Sequence, residues 1–293
     1  MEFIKSTHID FMGFRRVAYA ISLTLVVLAV VSLMVRGLNY GVDFAGGTLL
    51  QFRFGRAVEP QEVRVVLEKL NLSRSVIQRF SEDEVVIRTL KIGQETQNQL
   101  LESLKGQFGE VKLTRIEDVG PAVGAELRRM GIIALVSAIA GILLYVALRF
   151  EFKPAVTSVL ALAHDGLLVI GFVSLLGREF TIPVLAAVLT ILGYSINDSI
   201  VVMDRIRENL VSRKKGEELF QVINRSINET LSRTINTSLT TALPIIALLL
   251  FGGKMLQDFS LAILVGLIAG TYSSIFVVSA LWVDWEKRAR VRR

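Results

Sequence analysis

Two ionisable side chains set in apolar sequence carry the chemistry this chain suggests. Asp198 stands in Ser195-Ile196-Asn197-Asp198, inside a stretch that is otherwise apolar from 180 to 203. Arg233 comes just before a second apolar stretch at 236–252. A charged group at membrane depth costs about 2.5–3.5 kcal/mol on insertion scales, so each needs a partner or a task. A carboxylate that a proton can neutralise, beside a fixed cation that stabilises its ionised form, is a proton relay. Asp198 with Arg233 is the candidate pair, and a static ion pair is the alternative. Helical spacing puts Ile191, Tyr194, Asp198, Val201 and Arg205 on one face. Thr237, Thr240 and Pro244 follow Arg233 at offsets of 4, 7 and 11. At 100° per residue these fall within about 60° of one another, a narrow polar stripe. Asn236 flanks it, and Asn197, Thr237, Thr240, His164 and Asp165 are the supporting polar residues. Both charged residues fall in the cytoplasmic third of their helices, within reach of each other across a bundle.

His164-Asp165 is a further polar site, near the middle of the stretch 155–176. Adjacent helical residues point about 100° apart, so the two cannot line one narrow path. Polar contacts to neighbouring helices or water explain them as well as a functional role does. Gly266-x-x-x-Gly270 reads as a close-packing face for another helix. The chain has no cysteine, hence no disulfide, thiolate metal site or cysteine nucleophile. It lacks metal-ligand spacing and a Walker loop, so ATP hydrolysis is excluded, and neither a cofactor nor an enzymatic activity is expected.

The elements that position these residues are membrane spans. Val17 to Val35 is a charge-free run of 19 residues between Arg15-Arg16 and Arg36, long enough for a hydrocarbon core about 30 Å thick. It exceeds a signal-peptide core and no A-x-A site follows, so it is expected to stay as the first helix. Five more apolar stretches follow at 131–148, 155–176, 180–203, 236–252 and 259–283. Six spans place both termini on one side. With residues 1–16 inside, the inner flanks carry 17 Lys and Arg, among them Lys5, Lys214, Lys215, Arg292 and Arg293. The short outer loops carry 2, Arg178 and Lys254. The positive-inside bias therefore predicts cytoplasmic termini, with 284–293 a basic tail, and Trp282 and Trp285 suit an interfacial belt. The pI near 9.7 is explained by this topology, so the bilayer is the expected partner and nucleic acid is not. The cytoplasmic segment 205–232 places Leu219, Val222, Ile223 and Ile227 at helical spacing, an amphipathic connector lying at the interface.

Residues 36–130 are polar, with 14 Lys and Arg against 13 Asp and Glu. Strand patterns occur at 49–54, 75–80, 84–89 and 110–117, with helices from Pro60 through Leu70 and over 94–105. The order βαββαβ predicts a ferredoxin-like α+β domain between the first two spans. The fold class is thus an α-helical polytopic membrane protein of six helices with an extracytoplasmic α+β insertion, which suits a binding or lever module.

Several strings in this chain resemble the SecF family of preprotein translocase subunits. They include Gly41-Val42-Asp43-Phe44-Ala45-Gly46-Gly47-Thr48, and Val119-Gly120-Pro121-Ala122-Val123-Gly124-Ala125-Glu126-Leu127. Others are Arg149-Phe150-Glu151, Gly193-Tyr194-Ser195-Ile196-Asn197-Asp198-Ser199, Asp204-Arg205-Ile206-Arg207-Glu208-Asn209, Leu231-Ser232-Arg233-Thr234 and Phe251-Gly252-Gly253. The resemblance covers essentially the whole chain. It implies membership of the resistance–nodulation–division superfamily and a complex with SecD that joins the SecYEG channel, with YajC and YidC. It implies a bacterial cytoplasmic (inner) membrane protein that uses the proton motive force to complete export of an unfolded preprotein after ATP-driven initiation. The family's proton-relay residues fall on Asp198 and Arg233. Its signature residues fall on Gly41, Asp43, Phe44, Gly46, Gly47, Asp204 and Arg205. Superfamily transporters have two six-span halves, and this chain holds one set without an internal repeat, so a partner must supply the other.

Two rivals are weaker. An intramembrane aspartyl protease would pair Asp165 with Asp198, but Asp198 follows Ile-Asn rather than Gly-x-Gly, and the two lie about 9 Å apart in depth. A small-molecule efflux half-transporter would want larger outer domains with an apolar pocket.

Overall fold

The computed structural model describes residues 7–150, 152–213 and 216–291. Lys5, Glu151, Lys214, Lys215, Arg292 and Arg293 lie outside the described residues, as do the side chains of Lys254, Arg288 and Arg290. The chain divides into two compact units, Tyr40–Ile132 and the remainder, Met1–Asn39 with Ile133–Arg293. In chain order the elements begin with α1 (Arg15–Val35), β1 (Asn39–Tyr40), α2 (Val42–Ala45), β2 (Gly47–Phe54), α3 (Pro60–Lys69), β3 (Val76–Arg79) and β4 (Glu84–Thr89). They continue with α4 (Gln94–Phe108), β5 (Val111–Val119), α5 (Pro121–Arg149), α6 (Phe152–Leu175), β6 (Glu179–Phe180), α7 (Ile182–Val211) and α8 (Leu219–Phe251). Last come α9 (Gly253–Ser273), a π-helical turn Ser274–Val278, and α10 (Ser279–Val291).

The unit Tyr40–Ile132 is the expected ferredoxin-like domain. Its sheet runs β3-β4-β2-β5 with every neighbouring pair antiparallel. Strand alternation explains the core: Leu50, Phe52 and Phe54 of β2 bury one face against Val63 and Leu67 of α3 and Leu100 and Leu104 of α4. α3 starts where the sequence places it, because Pro60 suits the first helical position. The Glu59 backbone N–H donates to the Glu62 carboxylate at 3.0 Å and Arg56 donates to the same carboxylate at 3.0 Å. The backbone bond first, then Arg56, hold the Glu62 carboxyl below its ordinary value. That contribution to α3 is present above the ordinary carboxylate range and is lost as acid protonates the group through its lowered value. α4 runs one turn beyond the expected 105. Phe108 adds a ring that meets Phe54 edge-on at 5.2 Å, and Gly109, at φ 78°, ends the helix.

The string from Gly41 to Gly47 forms the single turn α2 and the entry to β2. Gly47 has φ 131°, and a Cβ there would sit 2.5 Å from the Thr89 carbonyl oxygen. A Cβ on Gly46 would meet the Pro121 backbone at 2.8 Å, and one on Gly124 would meet the Gly46 backbone nitrogen at 2.8 Å. Two signature strings far apart in sequence are therefore pressed backbone to backbone.

In the membrane unit six helices are long and apolar enough to cross a bilayer. α6, α7 and the α9–α10 helix form its buried centre, while α1, α8 and α5 from Ile133 onward are mostly exposed. Every helix is longer than its apolar stretch, because helical hydrogen bonding continues into the polar residues on either side. The segment 205–232 accordingly is not a separate interfacial helix. Residues 205–211 finish α7 and 219–232 begin α8. The apolar stripe of Leu219, Ile223 and Ile227 is buried against Met203 and Ile206, with Phe11 and Met12 in the same cluster, so it has protein rather than lipid to cover it. Residues 9–12 form a strap on α8. Asn228 accepts the Ile9 N–H and donates to the Ile9 carbonyl, both at 2.9 Å, and Asn224 accepts the Met12 N–H at 2.9 Å.

Gly124→Val should destabilise the α+β unit by about 1–3 kcal/mol, because only backbone atoms stand in the way and they cannot yield cheaply. Gly106→Ala, in open space within α4, should stabilise it by about 0.5–1 kcal/mol. Hydrogen-exchange protection of residues 47–54 in the intact chain should fall in the first variant and not in the second.

Candidate relay site

The buried face of α7 repeats at helical spacing through Ile191, Ser195, Asp198 and Val202. Asp198 is 6% exposed. Its Oδ1 accepts a hydrogen bond from Thr234 Oγ1 of α8 at 2.7 Å, and its Oδ2 accepts one from Ser274 Oγ at the π-helical turn. One turn earlier on α7, Ser195 Oγ donates at 2.5 Å to Oδ2 of Asp165, which is wholly buried on α6. Ser273 Oγ donates to the same oxygen at 2.6 Å. The other Asp165 oxygen lies 2.9 Å from Nδ1 of His164, whose ring stacks on Tyr272 at 6.4 Å. Two carboxylates on adjacent helices are thus each held by hydroxyls, and no direct hydrogen bond joins them among the described residues.

Small residues make this approach possible. A Cβ on Gly266 would lie 2.5 Å from the Ile191 side chain, and one on Gly270 would lie 3.0 Å from Ser195 Cβ. The spacing Gly266, Gly270, Ser274 continues one small face at every fourth residue, so the two glycines that seat α9 on α7 also deliver the third member to Asp198. The π-helical turn begins there. Its extra residue is accommodated in part by Ser279, whose hydroxyl donates to the Ser274 carbonyl at 3.3 Å.

Arg233 does not touch Asp198 directly, although its charge acts on that carboxylate from a distance. It forms no ion pair with Asp198 within 4.0 Å among the described residues, and its side chain is exposed. The reason is rotational: Thr234, one residue on and about 100° round the helix, takes the inward position. Thr237 and Thr240 share the exposed face with Arg233. Their hydroxyls return to carbonyls of their own helix, Arg233 at 3.0 Å and Asn236 at 2.8 Å. Asn197 is exposed on α7. The polar stripe therefore lies on the surface of this chain rather than in its interior.

Beyond the buried part, Asp204 accepts from Arg149 at 3.2 Å, joining two signature strings. Arg205 donates to Glu229 at 2.6 Å and Glu208 at 2.8 Å. Gly41, Asp43, Phe44, Gly46 and Gly47 belong to the α+β unit.

Thr234, Ser195, Ser273 and Ser274 are the residues that sequence reasoning missed. Ser274 was signalled by the four-residue repeat of small side chains. Thr234 was masked by the louder charge of its neighbour.

Residues 99–288 match the family profile for the C-terminal part of the protein export membrane proteins SecD/SecF, and residues 31–58 match that of the SecD/SecF GG motif. The chain is 48% identical over 288 residues to protein translocase subunit SecF of Magnetococcus marinus, covering 95% of this chain and 92% of that one. It is 47% identical over 291 residues to protein translocase subunit SecDF of Thermus thermophilus, covering 97% of this chain and 39% of that one. The crystal structure of SecDF, a translocon-associated membrane protein, from the same organism matches with a TM-score of 0.90 at 46% identity. That match covers 96% of this chain and 39% of that one. The chain therefore spans nearly the full length of the first relative and about two fifths of the SecDF chain.

Gly266→Val should weaken the packing of α9 on α7 by about 1–3 kcal/mol, since the branched Ile191 has no room to move. Gly193→Ala, with nothing within 4 Å of the added atom, should instead raise stability by about 0.5–1 kcal/mol, as alanine does within a helix. Thermal unfolding of both variants in detergent checks the contrast.

Proposed function

Since the chain belongs to the SecD/SecF family of protein-export membrane proteins, we propose that it serves a protein translocase as the SecF-type half, with Asp198 as the group that couples a proton gradient to export. One observation carries this reading. A buried carboxylate takes its direct hydrogen bonds from two hydroxyls, with Arg233 acting only from a distance, and one of those hydroxyls, Thr234, adjoins the exposed stripe that begins at Arg233. An ionised carboxylate in that setting is poorly compensated, so a proton changes its interactions sharply. When Asp198 takes a proton, Ser274 Oγ can turn wholly to the Thr271 carbonyl, 3.0 Å away within its own helix. Release of Thr234 at the same moment frees α8 to rotate and re-aim Arg233. One charge crossing the field supplies about 2.3 kcal/mol per 100 mV, enough to bias a switch of a few kcal/mol.

The partner would be SecD. The relative named SecDF holds in one longer chain a part that this protein matches, and an exposed polar stripe on a membrane helix needs protein or water rather than lipid beside it. Together the two halves would work at the SecYEG channel on an unfolded preprotein. The membrane would be the bacterial cytoplasmic membrane, with both termini inside and the α+β unit outside, as the distribution of basic residues supports. Movement of α8 and α9 would be transmitted outward to the polar unit that handles the substrate.

The test is gradient-driven export of a secreted substrate in membrane vesicles depleted of the native subunit and reconstituted with this chain or with Asp198→Asn at matched expression. The variant should assemble with its partner and lose only the gradient-dependent part of export. Normal export by Asp198→Asn would make the residue a structural contact and end the relay reading.

A further inference from the structure

His164 and Asp165 take no part in the relay just described, yet their arrangement is that of a proton site. Asp165 is wholly buried, and no Lys or Arg comes within 4.0 Å of it among the described residues. Its contacts are the three already given: Ser195 and Ser273 on one oxygen and His164 Nδ1 on the other. With the hydrogen of the neutral imidazole on Nδ1, the ring donates to the carboxylate as the two serines do. The other ring nitrogen, Nε2, is then a lone pair. It is buried and has no hydrogen-bond partner. A buried, unpartnered acceptor beside an anionic carboxylate is a place for one proton: uptake at Nε2 passes the Nδ1 hydrogen on to Asp165 Oδ1, which leaves a neutral carboxyl beside a neutral imidazole.

The second observation is what joins this unit to Asp198. Ser273 and Ser274 are consecutive, so they point about 100° apart and serve different helices. Ser273 reaches Asp165 and Ser274 reaches Asp198. Each hydroxyl has one hydrogen and two acceptors in reach, its carboxylate or a carbonyl of its own helix. For Ser273 that carbonyl is Gly270 at 3.2 Å, and for Ser274 it is Thr271 at 3.0 Å. A charged carboxylate holds its serine outward, and a neutral one releases it to the backbone. Back-bonding of that kind bends a helix, and both serines sit where α9 passes into the π-helical turn. The groups facing the unit are Ser195 from α7, with Asp198 one turn on, Tyr272 and Ser273 from α9, and Ser22 of α1 through the Tyr272 hydroxyl at 3.1 Å.

We propose that His164 and Asp165 form a second proton-binding unit, coupled to Asp198 through the neighbouring hydroxyls of Ser273 and Ser274. The inference rests on Asp198 being the coupling carboxylate. One helix thereby registers the charge of both.

Infrared difference spectra of the full chain with its partner in proteoliposomes, recorded across a pH step, test this directly. Protonation signals from two carboxyl groups are expected. Asp165→Asn should abolish one and shift the other, Asp198→Asn should do the converse, and His164→Gln should move the Asp165 signal without removing it. If Asp165→Asn does not assemble with the partner, Ser273→Ala removes a single donor and should shift both signals. A wild-type spectrum with no Asp165 contribution overturns the second site. An Asp198 signal that stays put in both Asp165→Asn and Ser273→Ala overturns the coupling. In the export assay Asp165→Asn should lose gradient-dependent export as Asp198→Asn does. Normal export by Asp165→Asn beside a dead Asp198→Asn overturns this inference alone, whereas normal export by Asp198→Asn overturns the relay reading on which it rests.

Discussion

The membrane unit is built around the cost of holding a carboxylate where water is scarce. Asp198 is compensated by hydroxyls from two other helices, and hydroxyls have short reach, so α8 and the α9–α10 helix must both come close to α7. That requirement explains the glycines at 266 and 270, which remove the side chains that would hold α9 away. It also accounts for an otherwise costly π-helical turn beginning at the serine that completes the site. Arg233 acts on this charge only from beyond contact distance, so the direct contacts are left to the hydroxyls.

The same economy of space appears in the α+β unit, where the issue is backbone rather than charge. Gly46 and Gly124 bring the turn before β2 against the start of α5 with no side chain between them. One contact thereby joins the entry to β2, in the centre of the sheet, to the first turn of a helix of 29 residues.

Much of this was legible in the sequence, for definable reasons. The six spans follow from apolar length, and the ferredoxin-like order follows from alternation at 49–54 and from turn chemistry around Ser81-Glu82-Asp83. Asp198 was legible because a carboxylate among Ile, Val and Leu is conspicuous. Its partners were not, because serine and threonine are ordinary in membrane helices and only their rotation decides what they touch. Arg233 was found and its contact misjudged: a helical wheel gives an angle but not which neighbour fills the inward slot, and Thr234 fills it. The fate of the stripe Leu219 to Ile227 was equally open, since periodicity marks an apolar face without saying whether lipid or protein covers it.

The strap at residues 9–12 bears on how force can travel in this molecule. Asn228 treats Ile9 as an adjacent strand would, giving and taking one hydrogen bond, and Phe11 and Met12 are sunk in the core beyond it. Only a few residues separate that clamp from the first turn of α1. The helix that carries Thr234 and Arg233 is therefore leashed at its polar end to the first membrane helix. Further along, Thr234 and Ser238 tie the same helix to α7 and α9, so one helix links the segment before α1 to the buried centre of the bundle.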